Sequence, residues 1–209
     1  MSEAGTTTRL LVLRHGQSTW NAERRWQGWA DAPLSELGTQ QALDAAGHLV
    51  HTGVTRAASS DLQRARRTAE LIAGTLGLGE VTVVRDLRER DVGRYQGHTA
   101  EELCVKYPDD FDAEGRRLGY ADGEDDEALC SRTVPALVEL AGRRAGEVVL
   151  VVSHGGVIRA LERRLGVGDA EDGTPNLGGR WFEVRDDELT AGAPLLPVDP
   201  SMATVPRVE

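Results

Sequence analysis

Two histidines in this 209-residue chain follow directly on apolar runs. Arg14-His15-Gly16 comes after Leu10-Leu11-Val12-Leu13, and Ser153-His154-Gly155-Gly156 comes after the valine-rich stretch 148–152. An imidazole with one ring nitrogen held in place and the other free is a nucleophile that can accept a phosphoryl group. Such a transfer needs positive charge around the phosphoryl oxygens throughout. Arg14 can supply it as a fork of donors beside His15, and Gly16 lets backbone approach closely. Taken alone, Arg-His-Gly equally suits an ordinary hydrogen-bonded histidine at a strand end. The second histidine, placed in the same way, makes the pair worth locating in a fold.

The elements that would position them are legible from pattern. Residues 9–13 read as a short interior strand, because an unbroken apolar run suits a strand covered on both faces. Ser35 reads as the N-cap of a helix over 35–51, with Leu43, Ala46 and Val50 at helical spacing. A second strand is expected at 54–59. Ser60 or Asp61 would cap the next helix, whose apolar face is Leu62, Ala65, Ala69, Ile72 and Leu76 and whose stop is Gly77. Residues 81–84 read as a third strand, and 100–107 as a helix ended by Pro108. The acidic, glycine-containing stretch 109–126 reads as a loop or loosely attached insertion. A helix over 127–143, a strand over 147–152 and a helix over 157–165 follow, with 180–185 as an edge strand. Strands alternating with helices imply a three-layer α/β/α sandwich around a mostly parallel sheet, with the active site at the carboxyl ends of the strands. One domain is expected over 1–190, and residues 191–209, proline-rich and aperiodic, read as a C-terminal tail.

Composition narrows the function. Apolar residues make up 40% and charged residues 28%, ordinary for a globular chain. The net charge of −10 argues against nucleic acid or an anionic membrane as partner. A local basic pocket for a phosphorylated substrate remains compatible with it. Cys104 and Cys130 show no paired or metal-type spacing and read as idle thiols in a reducing compartment. The N-terminus lacks a basic segment followed by an apolar one, and no stretch approaches the ~20 apolar residues of a membrane span, so the expected location is cytoplasmic. The tryptophans Trp20, Trp26 and Trp29, bunched after His15, read either as core or as the mouth of a pocket.

Five segments carry a resemblance. LVLRHGQSTWN (11–21), WQGWADAPLSELGTQQA (26–42), SSDLQRARRTAELI (59–72), LRERDVGRYQG (87–97) and VVSHGG (151–156) stand in this order along the chain. In these segments the sequence resembles the histidine phosphatase superfamily, also called phosphoglycerate mutase-like. The resemblance implies a phosphoglycerate mutase-like fold and metal-independent hydrolysis of a small phosphate monoester, such as a sugar phosphate. It implies that His15 is the nucleophile, that Arg14 and Arg64 clamp the phosphoryl group, and that His154 contacts it. Glu89 takes the place of the general acid, which protonates the leaving oxygen and then takes a proton from water. Ser18, Asn21, Gln27, Gly28 and Gly155 match positions around the substrate. No cofactor or metal is implied, and the histidines lack a ligand-type spacing such as HExxH. His48, His51 and His98 match no catalytic position. A homodimer is compatible with the sequence.

Two other readings stay open. One is a phosphoglycerate mutase, which would return the phosphoryl group to the product; the short acidic region after Glu89 speaks for hydrolysis. The other is a non-catalytic binding module, which would be expected to lack one of the core residues. One departure stands out. Many members carry Gly-Glu-Ser before the helix that precedes the second histidine's strand, and here Gly123-Glu124 is followed by Asp125 and Asp126. If that loop reaches the pocket, it should repel anionic substrates.

Overall fold

The computed structural model describes residues 7–114, 116–119, 122–142, 146–168 and 173–204. Its strands are β1 (Thr8–Arg14), β2 (Arg56–Ser59), β3 (Thr82–Val83), β4 (Val148–Ser153), β5 (Gly179–Arg185) and β6 (Glu188–Leu195). Its α-helices are α1 (Thr19–Ala22), α2 (Glu36–Leu49), α3 (Gln63–Leu76), α4 (Ala100–Lys106), α5 (Asp126–Gly142) and α6 (Gly155–Arg164). The six strands form one sheet in the order β3-β2-β4-β1-β5-β6. Pairings from β3 through β1 are parallel, and β5 and β6 join antiparallel.

The apolar runs of β1 and β4 are unbroken because both of their faces are covered. Leu10, Val12, Val149 and Val151 pack with Leu137, Leu140, Ile158 and Leu161 of α5 and α6. Leu11, Leu13, Leu150 and Val152 pack on the other face with Ala45, Leu49, Ala69 and Ile72 of α2 and α3. The three-layer α/β/α sandwich expected from the alternating pattern is therefore the observed architecture. Within it, β1 and β4 are direct parallel neighbours with Leu13 opposite Val152 and Arg14 opposite Ser153.

Local chemistry explains most boundaries. Ser35 caps α2, its Oγ accepting from Gly38 N at 3.0 Å. Gly77 ends α3 in the left-handed conformation, φ +67°. At the start of α3 the expected cap fails. Leu62 holds the N-cap position without a side-chain bond, and Gln63 N donates instead to Asp31 Oδ1 of a distant loop at 2.6 Å. The third strand shrinks to two residues because only Ala58↔Thr82 and Ser59↔Val83 pair. The 109–126 stretch is anchored where it begins: Phe111 packs against a small cluster of Trp26, Val92, Tyr95 and Leu103, and Tyr95 donates its hydroxyl hydrogen to Asp110. Residues 115, 120, 121 and 143, which also fell within these sequence readings, lie outside the described residues. Cys104 and Cys130 are both free thiols. Among the described residues no helix is long and apolar enough to cross a membrane.

Two expectations about the C-terminal part are corrected. Residues 180–185 are not an edge strand, since β5 lies between β1 and β6. Residues 188–195 are the edge strand β6 and not a tail. Pro194 misled the pattern, but an edge strand tolerates proline because one side of its ladder is unpaired. The chain beyond β6 is also bound. Val198 is buried against the α2 and α3 layer, and Gln41 Nε2 donates to Met202 O at 2.7 Å. Thr204 exchanges bonds with Asn176 through its backbone carbonyl and its hydroxyl. Residues 205–209 lie outside the described residues. Truncation after Leu195 is expected to lower the thermal unfolding midpoint by several degrees, because it opens an apolar site and strips partners from buried Gln41 and Asn176. A midpoint equal to that of the full chain would show these contacts to be dispensable.

Candidate active site

The parallel register of β1 and β4 carries the two histidines out of the sheet at the same level. His15 N extends the ladder by donating to Ser153 O at 3.0 Å. The rings meet edge to face with centres 5.2 Å apart. Both residues are essentially fully buried.

The hydrogen bonds of His15 define its tautomer. Arg64 Nε lies 3.2 Å from His15 Nε2, and an arginine N–H only donates, so Nε2 bears the lone pair. The proton therefore sits on Nδ1, which donates to Gly16 O at 2.6 Å. Burial, reinforced by the Arg64 and Arg14 guanidinium groups, holds the His15 imidazole well below its ordinary value of 6.5. The neutral ring thus presents Nε2 as a nucleophile to the side where Arg64 sits. His154 is held down in the same way, by burial first and then by Arg64, His15 and Arg14. Neither ring nitrogen of His154 has a hydrogen-bond partner among the described residues. A buried polar group in that state costs about 1–3 kcal/mol, which a ligand oxygen would recover.

The two arginines are cradled by backbone. Arg64, in the first turn of α3, donates from Nη1 to Ala30 O and from Nη2 to Gly28 O, at 2.7 and 2.9 Å. Arg14 is buried behind the histidines and donates to Thr174 O at 2.6 Å. The close approach of the 15–17 turn to α2 needs glycine twice. A Cβ on Gly16 would strike Gly38 O, and one on Gly38 would strike the backbone of Gln17.

Glu89 enters from a separate loop. Its Oε1 accepts from Arg90 N at 2.7 Å and its Oε2 from Gly156 N, in the first turn of α6, at 3.1 Å. A Cβ on Gly156 would push that carboxylate aside, so glycine there lets Glu89 sit against the first turn of α6. His15, Arg64, Glu89, Gln27 and Gly28 line one cleft. Its remaining walls are Trp26, Val92, Arg90, Arg159 and Gly156, so Glu89 faces a predominantly basic lining. Trp26 satisfies both sequence readings, since it packs in the aromatic cluster and lines the mouth. Trp29 is half-buried and donates its indole N–H to Glu89 O at 2.8 Å.

The other sequence candidates lie behind this lining. Ser18 and Asn21 cap α1 reciprocally, and Ser18 Oγ donates to Gln27 Oε1 at 2.7 Å. That contact leaves the Gln27 amide nitrogen, the donor end an anion needs, for the cleft. Gly155 opens α6 next to His154 and, like Arg14 and His154, is buried without forming the cleft wall. Asp125 does not reach the cleft. Its Oδ1 accepts from Ala128 N at 2.8 Å, the bond a serine N-cap would accept. Asp126 pairs with Arg90 and Arg163. The expected repulsion of anionic substrates therefore does not arise from this pair. Among the described residues no three histidine, cysteine, aspartate or glutamate side chains are grouped as a metal ion would require.

Sequence reasoning missed several supports. Asn176 Nδ2 donates to His15 O at 2.9 Å. Thr68 Oγ1 joins Gly16 N to Arg64 O, at 3.1 and 2.7 Å. Arg132 grips the loop that carries Glu89. Only Glu124, through the Gly-Glu pair, had a sequence signal.

Both histidines are neutral when buried and bind protons more readily once unfolded. Stability is then complete above about pH 6.5 and falls as pH drops below it, because the unfolded chain takes up protons that the folded chain refuses. Urea unfolding at pH 7.5 and 5.5 should show this loss, and His154→Asn should reduce it. An identical loss in the variant would mean that His154 does not contribute.

A sequence profile of the histidine phosphatase superfamily (branch 1) matches residues 10–177. The metal-independent phosphoserine phosphatase of Arabidopsis thaliana is 39% identical over 163 residues, covering 76% of this chain and 68% of that protein. The glucosyl-3-phosphoglycerate phosphatase of Mycolicibacterium vanbaalenii is 36% identical over 205 residues, covering 89% of this chain and 88% of that protein. The solved structure of a mycobacterial glucosyl-3-phosphoglycerate phosphatase with VO3 superposes with a TM-score of 0.72 at 33% identity, over 88% of this chain and 96% of that one. Relatives named as phosphoglycerate mutases also match. With its histidine pair, buried arginines and α/β/α sandwich, the chain belongs to the histidine phosphatase superfamily.

Proposed function

We propose that this protein hydrolyses a small phosphate monoester through a phosphohistidine on His15, without a metal, with Glu89 as proton donor. The observation that carries the reading is the neutral His15 tautomer, with its Nε2 lone pair beside Arg64 in the cleft that Glu89 also lines.

In the first step Nε2 attacks phosphorus and the bond from phosphorus to the leaving oxygen breaks. Glu89 gives its proton to that oxygen. In the second step Glu89 takes a proton from water, whose oxygen attacks phosphorus as the P–N bond breaks, and the enzyme is restored. Arg64 and the Gln27 amide meet the phosphoryl oxygens at the cleft wall, and Arg14 and His154, buried next to His15, back them. Ser18 and Asn21 act through Gln27, and Gly28 acts through its carbonyl on Arg64. The substrate is a soluble phosphorylated metabolite. The names of the relatives supply two candidates, phosphoserine and glucosyl-3-phosphoglycerate, both phosphorylated acids.

The names of other relatives favour mutase chemistry as a second reading, in which the phosphoryl group returns to the product. Incubation with a panel of phosphate monoesters in EDTA separates the two. Hydrolysis releases inorganic phosphate, whereas a mutase gives isomer without it. His15→Ala should lower turnover to about a thousandth or less, and intact-mass measurement after a neutral quench should find one phosphoryl group on the wild type and none on the variant. Retention of several per cent of activity would remove His15 as nucleophile.

Glu89→Gln keeps shape but cannot donate a proton of suitable acidity. It should slow single-turnover phosphorylation of His15 by an alkyl phosphate about 10²-fold. An aryl phosphate such as p-nitrophenyl phosphate, whose leaving group departs almost unaided, should lose much less. Equal losses would assign Glu89 to binding.

A further inference from the structure

The segment that departs from the family's Gly-Glu-Ser pattern leads to a residue with no role in the chemistry above. We propose that Arg132, held by Glu124, is a positioning residue that keeps Glu89 aimed at the leaving group. The proposal rests on Glu89 being the proton donor.

Arg132 projects from the second turn of α5. Its Nη1 donates to Asp86 O and to Arg88 O, both at 2.9 Å, and its Nη2 donates to Glu89 O at 2.9 Å. Glu124 receives the remaining N–H groups, with Oε1 accepting from Nε at 2.8 Å and Oε2 from Nη2 at 2.7 Å. A guanidinium has five N–H donors, and these five bonds use all of them. Arg132 has none left for a substrate, and it does not line the cleft. Glu124 Oε2 also accepts from Asp91 N at 2.9 Å. The pair therefore fastens the chain on both sides of Glu89, at residues 86, 88, 89 and 91. Burial pushes the Glu124 carboxyl up, but its bonds to Arg132 and Asp91 outweigh that and hold it below the usual carboxylate range, so the pair stays charged.

This loop has no ladder of its own. A brief 3-10 turn, Arg85–Leu87, precedes it, and the carboxylate at its tip accepts from two backbone N–H groups, those of Arg90 and Gly156. A shift of the loop by about 1 Å would take the carboxylate off α6 and away from the oxygen it must protonate. Misplacement of a catalytic group by about 1 Å can cost on the order of 10²-fold in rate. Lysine cannot substitute, because one ammonium with three donors cannot span three carbonyls and a carboxylate.

The test compares leaving groups in single-turnover phosphorylation of His15. Arg132→Lys and Glu124→Gln should each slow reaction with an alkyl phosphate by about tenfold or more and reaction with p-nitrophenyl phosphate much less. Combined with Glu89→Gln, neither should add a further selective loss, since the proton is already gone. Thermal unfolding of the same variants reports any general loss of fold, which would slow both substrates alike. Equal slowing of both substrates, no slowing, or additive loss in the double variants would overturn the assignment. Glu89→Gln alone is the internal reference. If it shows no selectivity between leaving groups, the proton-donor reading fails and the positioning role falls with it. If Glu89→Gln is selective and the clamp variants are not, only the positioning role is lost.

Discussion

The register between β1 and β4 is the constraint on which the rest of the site depends. Arg14 stands opposite Ser153 in a parallel pair, so the residues that follow, His15 and His154, leave the sheet side by side. A slip of one residue would reverse the face of every side chain on the strand. It would drive Leu11 and Leu13 out of the α2 and α3 layer and send the histidine to the wrong side. The core residues thus enforce the geometry of the site: what holds Leu10 and Leu11 on opposite faces also brings the two imidazoles to 5.2 Å.

Around that register the protein buries an unusual load of polar groups. Arg14, Arg64, His15 and His154 are at most 1% exposed. Desolvating a cation is costly unless hydrogen bonds compensate. Here backbone carbonyls of Gly28, Ala30 and Thr174 supply much of that compensation. Carbonyl partners orient these guanidinium groups, which keep their positive charge. The same charge, together with burial, keeps the histidines unprotonated. The fold accepts this electrostatic tension at one end of the sheet and offsets it with the dense aliphatic layers behind.

Glu89 answers to a different set of constraints. It rides on an irregular loop, and its place comes from three directions: the first turn of α6, the indole of Trp29 and the guanidinium of Arg132. Asp125 and Asp126 belong to this scaffold and not to the cleft. One caps α5, and the other ties Arg90 to Arg163 across α5 and α6. A change that looks like a specificity switch in one dimension is, in three, a helix cap replaced by another competent cap.

The sequence by itself determined what depends on local pattern. Apolar runs, Ser35 and Gly77 locate the central strands and the ends of two helices, and the alternation of elements carries the sandwich class. The motif residues His15, Arg64, Glu89, Gln27 and Gly28 are recognisable by resemblance, and all five meet in one cleft. Features that arise from distant contact were decided only in three dimensions. Proline at 194 hid an edge strand whose identity comes from pairing with β5. Asp31 caps α3 from a loop more than thirty residues earlier. Asn176 and Arg132 support His15 and Glu89 through backbone carbonyls, which any residue type presents equally. The physical reason is one of range. Propensity, capping and periodicity act within a few residues and leave a mark in the string, whereas a carbonyl's partner across the fold is chosen by where packing places it.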